Sequence, residues 1–172
     1  MQIVRALWLQ RMYGLVLLLA ITLTACGFQL RGVSEFSFKT LNIQGSKLTI
    51  TKDLKRWLSI NGIQLVENSE GAEAFLELLG ESYEKRIRSL SGQGVVREYE
   101  LNYRVTFRTR SASNALWGPE EVVQSRRNFS YNDTALLGKL EEEERLNADM
   151  RKDAVREIMR RLAAISPAKT DN

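Results

Sequence analysis

Three kinds of side chain in this sequence are of types and spacings that bear on chemistry. The first is Cys26, the sole cysteine, preceded by Leu23-Thr24-Ala25. An aliphatic residue and two small ones before a cysteine form the pattern at which a leader is cut and the new terminal cysteine is acylated. The second is a set of arginines, Arg86, Arg88 and Arg97, on either side of Ser91-Gly92-Gln93-Gly94. Guanidinium groups beside a glycine-rich turn suit phosphate, which they pair bidentately, although an edge strand kept soluble by charge has the same composition. The third is carboxylate: the run Glu141-Glu142-Glu143-Glu144, and the pair Glu98 and Glu100. The run lacks the glycine-turned loop and spaced oxygens of a cation site and reads as a solvated face near a helix start. Glu98 and Glu100 on one strand face would serve a carboxylate hydrolase only if they converged in a cleft.

What is missing narrows the field further. The chain has no histidine, so no imidazole can act as base or metal ligand. With Cys26 committed to lipid, no intrachain disulfide, cysteine nucleophile or cysteine-based metal site remains. Ser82-Tyr83-Glu84-Lys85 matches the Ser-x-x-Lys spacing of serine acyltransferases. That chemistry needs both side chains on one side, whereas an offset of three in a strand puts them on opposite faces. No catalytic residue, metal site or cofactor is expected.

These residues need elements to position them. Residues 1–25 have the three parts of a secretory signal: basic Arg5 and Arg11, an apolar Met12–Leu23 and a small-residue exit. The apolar run is shorter than the roughly 20 residues of a spanning helix. Several acyl chains, at about 0.8 kcal/mol per buried CH₂, would hold the mature chain to a membrane without one. The precursor's 172 residues carry 25 basic and 21 acidic side chains, a formal charge of +4. Loss of Arg5 and Arg11 halves that excess, which leaves no global basic field for nucleic acid.

Residues 26–38 read as a lipidated tether, 39–166 as one domain and 167–172 as a disordered polar tail. Thr40–Gln44 alternates as a strand ending at Gly45. Ser46 is placed to cap a helix whose Leu54, Trp57 and Leu58 share a face, and Asn61-Gly62 is placed to end it. Ile63–Val66 is a short extended stretch. The apolar parity of Ala74, Leu76 and Leu78 shifts after Gly80 to Tyr83 and Ile87, which predicts a β-bulge. Ser91–Gly94 is a hairpin tip. Tyr99, Leu101, Tyr103, Val105 and Phe107 then face one way and polar residues the other, so one face is buried and one wet. Val122–Tyr131 is a weaker strand. A long helix begins at Asp133 or Thr134, with a stripe of Leu146, Met150, Ala154, Ile158, Leu162 and Ile165 widened by Val155 and Met159. Its acids lie early, and Arg151, Lys152, Arg156, Arg160 and Arg161 lie late, which complements the helix dipole or offers a surface to an acidic partner. The expected fold is α+β, with two helices packed on one face of a mainly antiparallel four-stranded sheet.

The series of motifs resembles a known family. Cys26-Gly27-Phe28-Gln29-Leu30-Arg31-Gly32 is similar to the mature start of the LptE lipopolysaccharide-assembly lipoproteins. Arg97-Glu98-Tyr99-Glu100-Leu101 resembles their central strand. Arg127–Asp133 with Leu136-Leu137-Gly138-Lys139 resembles their strand-to-helix junction, and Asp149-Met150-Arg151, Ala154 and Arg160-Arg161-Leu162 their last helix. The resemblance implies an outer-membrane lipoprotein on the periplasmic face. It would plug and stabilise the LptD β-barrel and bind lipopolysaccharide as it enters the outer leaflet. It also implies lipopolysaccharide contact through Lys139 and through a basic residue at the hairpin tip. Here that tip is Ser91–Gly94, so Arg88, Arg97 or Arg86 would take the role. Gly27, in place of an aspartate, fits release to the outer membrane. The alternative partner is a lipid-exporting ABC transporter, for which the chain would be an auxiliary lipoprotein.

Overall fold

The computed structural model describes residues 36–131 and 136–165. The signal segment, Cys26, the first part of the tether, the proposed helix start at Asp133 or Thr134 and the tail from 167 lie outside them. Seven elements follow in order: β1 (Thr40–Gly45), α1 (Ile50–Ile60), β2 (Gln64–Leu65), β3 (Ala74–Leu90), β4 (Val96–Ser111), β5 (Glu121–Ser130) and α2 (Leu136–Ala163). The strands form one sheet in the order β2-β1-β3-β4-β5.

The α+β class stands, but the sheet has five strands and is mixed. β1 pairs in parallel with both β2 and β3, while β3–β4 and β4–β5 are antiparallel. The cause is the connection. The helix α1 returns the chain to the end from which β1 started, so β2 runs parallel to β1, and the 66–73 connection returns it once more before β3. The extended stretch after α1 becomes β2, with only Gln64 and Leu65 in the ladder.

Gly45 makes the exit from β1 possible. Its φ is 95°, and a Cβ there would stand 2.3 Å from the Leu78 carbonyl oxygen. The tight approach lets Ser46 N–H donate to that carbonyl at 2.8 Å. Ser46 does not cap α1. Instead Glu81, on the covered face of β3 just beyond the bulge, accepts from Thr49 N–H at 2.6 Å and from the Thr49 hydroxyl. A carboxylate at a helix N-terminus meets both the free N–H groups and the positive end of the dipole. Glu81 also accepts from the Tyr103 hydroxyl. Burial, with Glu81 beside it, pushes the Tyr103 phenol far above its ordinary range and keeps it a donor.

In α1 the buried side chains are Ile50, Leu54 and Leu58, spaced by four. Trp57 is not among them, being 39% exposed at the rim. Asn61-Gly62 ends the helix as expected: Gly62 has φ 78°, and Ile63 N–H donates to the Leu58 carbonyl at 3.0 Å.

The bulge at Gly80 is present as a register shift between Leu78 and Gly80, and two further irregularities lie between Ile87 and Leu90. Leu101, Tyr103, Val105 and Phe107 on β4 are buried against the helices, and Tyr99 is partly buried. Val123 and Phe129 on β5 continue that face. On α2 the stripe of Met150, Ala154, Val155, Ile158 and Leu162 is fully buried, each large side chain contributing roughly 1.5–3 kcal/mol. Neither of the two helices among the described residues lies on the opposite sheet face. Ser82 pairs across from Arg104 on that wet face, whereas Lys85 pairs across from Leu101 on the covered one, so the Ser-x-x-Lys spacing brings nothing together.

Three contacts fix the direction of α2. Glu143 meets Lys85 on the outer half of β3. Asp153 meets Arg127 in the middle of β5. Arg161 meets Glu121 at the start of β5, across from Phe107 of β4. The helix therefore runs from the hairpin end of the sheet towards its base.

Candidate functional site

The cationic residues singled out from sequence lie at the hairpin end. Arg86 stands on the wet face of β3, paired across from Glu100 and bonded to Glu84 at 2.5 Å. Arg88 is the residue left out of the β3–β4 ladder between Ile87 and Ser89, where the strand is irregular. Arg97 is the second residue of β4, and its carbonyl accepts from Tyr131 N–H at 2.8 Å. Both Arg88 and Arg97 are exposed, and neither forms an ion pair among the described residues. The tip between them closes with Ser91 N–H donating to Val95 O at 2.7 Å and with Gly94 at φ 80°.

Lys139 sits near the start of α2, its ammonium 2.7 Å from Glu142. Its side chain is only 19% exposed. It precedes Glu143 by four residues, so both lie on one side of the helix. The structure thus brings Lys139 to the end of the molecule that carries Arg88 and Arg97, through a joint that sequence reasoning missed.

That joint is Lys85. Its ammonium is 2.5 Å from Glu143 and lies over the Tyr99 ring at 4.3 Å, with Phe129 at 5.5 Å and Tyr131 at 6.0 Å. Tyr99 in turn stacks on Phe129 and meets Tyr131 edge-on, with centroids 5.7 and 5.2 Å apart. Tyr83 donates its hydroxyl to Glu143 at 3.0 Å. Burial, with Glu143 beside it, pushes the Tyr83 phenol well above its ordinary range, so it stays protonated and donates. A signal for this cluster exists in the sequence. Lys85 shares the strand parity of Tyr83 and Ile87, which is the parity that faces the helix.

Glu143 is therefore a tie between helix and sheet, and its side chain is 19% exposed. That corrects the reading of Glu141–Glu144 as wholly solvated. Glu142 is occupied by Lys139, and no group of three metal-binding side chains occurs among the described residues. Glu98 accepts from Ser89 Oγ at 3.1 Å, an ordinary strand contact. Late in α2, Lys152, Arg156, Arg160 and Arg161 all pair with Asp149, Asp153 or Glu157 of the same helix. That arrangement fits charge balance along the helix.

Residues 36–162 match the model of the lipopolysaccharide-assembly family LptE. The chain belongs to the LptE family. The LPS-assembly lipoprotein LptE of Photorhabdus laumondii is 27% identical over 164 residues, covering 92% of this chain and 89% of that protein. The protein of the same name from Yersinia pestis is 26% identical, covering 94% of this chain and 80% of its own length. Among solved structures, a lipoprotein B from Nitrosomonas europaea is 41% identical, with a TM-score of 0.71 over 80% of this chain and 91% of that one. The rare lipoprotein B of Shewanella oneidensis is 26% identical, with a TM-score of 0.65 over 73% of this chain and 94% of that one. The LptE match covers the sheet and all but the last residue of α2, so Lys139, Lys85 and the hairpin arginines all fall within it. Its function is lipopolysaccharide assembly. No helix among the described residues is long and apolar enough to cross a membrane.

Proposed function

We propose that the chain is an outer-membrane lipoprotein, held by acyl chains on Cys26, that acts without catalysis. It plugs and stabilises the LptD β-barrel and contacts lipopolysaccharide phosphates through Lys139 and the hairpin arginines Arg88, Arg97 and Arg86. Membership of the LptE family supports the assembly role, and the names of its relatives support lipidation. The observation that carries the lipid contact is the Lys85–Glu143 tie, which holds the start of α2 against the arginine-bearing hairpin. Two exposed guanidiniums there have no carboxylate partner among the described residues and can reach phosphate oxygens. Arg86 is already held by Glu84 and is the weakest of the three hairpin contributors.

The test is charge reversal. Lys139→Glu combined with Arg88→Glu should leave the circular dichroism spectrum intact and weaken lipopolysaccharide binding by about tenfold or more, since charge-assisted hydrogen bonds contribute roughly 1.5–3 kcal/mol each. Titration at low salt reads the affinity. An unchanged affinity removes these residues from the contact.

A further inference from the structure

We propose that the outward face of α1 docks on an anionic phospholipid surface. The helix buries Ile50, Leu54 and Leu58. At 100° per residue, Lys52 and Arg56 fall on the opposite side, with Lys55 on one flank and Trp57 and Ile60 on the other. Lys47 adds a further charge in the preceding turn. All six of these side chains are exposed, Trp57 at 39% and Ile60 at 66%.

The charge on this face is uncompensated. Lys47, Lys52, Lys55 and Arg56 form no ion pair among the described residues. The contrast with α2 is informative, because there the late cations are paired with acids three or four residues earlier. A solvated helix face is ordinarily laced in that way. The one acid of α1, Asp53, falls on the flank between Ile60 and Trp57; it is half-buried and forms no ion pair with these cations among the described residues.

Chemistry selects the occupant. Lysine is a compact, hydrated point charge on a flexible stem, suited to a diffuse layer of headgroups. A protein carboxylate site favours the planar fork of arginine. Trp57 beside Ile60 supplies an amphipathic ring and an aliphatic side chain of the kind that settles at headgroup level. Each basic residue near an anionic leaflet raises binding about fivefold, so four together overcome weak apolar insertion. The face uses none of the residues assigned to lipopolysaccharide contact.

The experiment uses the full mature chain with Cys26→Ser, so that acyl chains contribute nothing. Co-sedimentation is measured with vesicles of phosphatidylcholine alone and of phosphatidylcholine mixed equally with phosphatidylglycerol, both free of lipopolysaccharide. Binding is expected on the mixed vesicles only, and should be lost in high salt. Lys52→Glu with Arg56→Glu should lower the affinity more than about tenfold, whereas Arg88→Glu with Lys139→Glu leaves it unchanged. In a Trp117→Phe background, checked for native circular dichroism, the Trp57 emission should shift to the blue on binding. No binding to the mixed vesicles overturns the proposal. So does binding that ignores the α1 reversal, or that falls equally with the hairpin and α2 reversal.

Discussion

Lys85 is the residue on which the geometry of the hairpin end turns. Its parity placed it on the helix side of the sheet, but the sequence could not say what it meets there, because its partners are distant. Glu143 lies 58 residues away, and local spacing carries no information on such a pairing. Arg88 and Arg97 could be singled out because charge beside a turn needs no long-range contact to be noticed, whereas Lys139 was pointed to only by the family resemblance. The polar tie has an energetic signature. Lys85 and Glu143 are 30% and 19% exposed, so solvent screens the pair incompletely, and the aromatic rings add a cation–π contribution. A double-mutant cycle of Lys85→Ala and Glu143→Ala, read by urea denaturation, should give a coupling of about 1–2 kcal/mol. Additive losses would mean that the pair is solvated and does not position Lys139.

At the scale of elements, patterns with a period were readable and single long-range events were not. The α2 stripe and the alternation of β4 were both legible, because each repeats over many residues against one apolar surface. The bulge after Leu78 was legible because a glycine and a change of parity coincide. Three features were not. Ile63–Val66 could be read as extended but not as a paired strand, since β2 has two residues in its ladder, too few to show alternation. The cap of α1 comes from Glu81, 32 residues beyond Thr49. Trp57 has the spacing of a buried residue but stands at the rim, because Ile50, Leu54 and Leu58 already fill the narrow stripe. The β1–α1 turn offers a sharp test. Gly45→Ala places a Cβ against backbone at positive φ and should cost roughly 2–4 kcal/mol. Gly62→Ala meets nothing within 4 Å at φ 78°, so only the left-handed backbone is strained, at about 1 kcal/mol. Equal costs in chemical denaturation would show that the close approach to Leu78 is not a constraint.

For the whole molecule, the class of fold followed from the order of elements, and the mixed sheet arises because the chain returns twice, through α1 and through 66–73, so that β2 and β3 both run parallel to β1. Among the described residues, one face of the sheet is covered by both helices and the other by neither. The polar tie and the free arginines gather at the hairpin end. That division of labour suits a protein that braces a partner and offers cations to a lipid, and it agrees with membership of a lipopolysaccharide-assembly family. The measurement that tests this most directly is affinity purification of the full lipoprotein from detergent-solubilised membranes, with the co-purifying chains identified by mass spectrometry. A large outer-membrane β-barrel of the LptD type, in near-stoichiometric amount, is the predicted result. Recovery of an inner-membrane ABC transporter instead, or of the lipoprotein alone, would contradict the account.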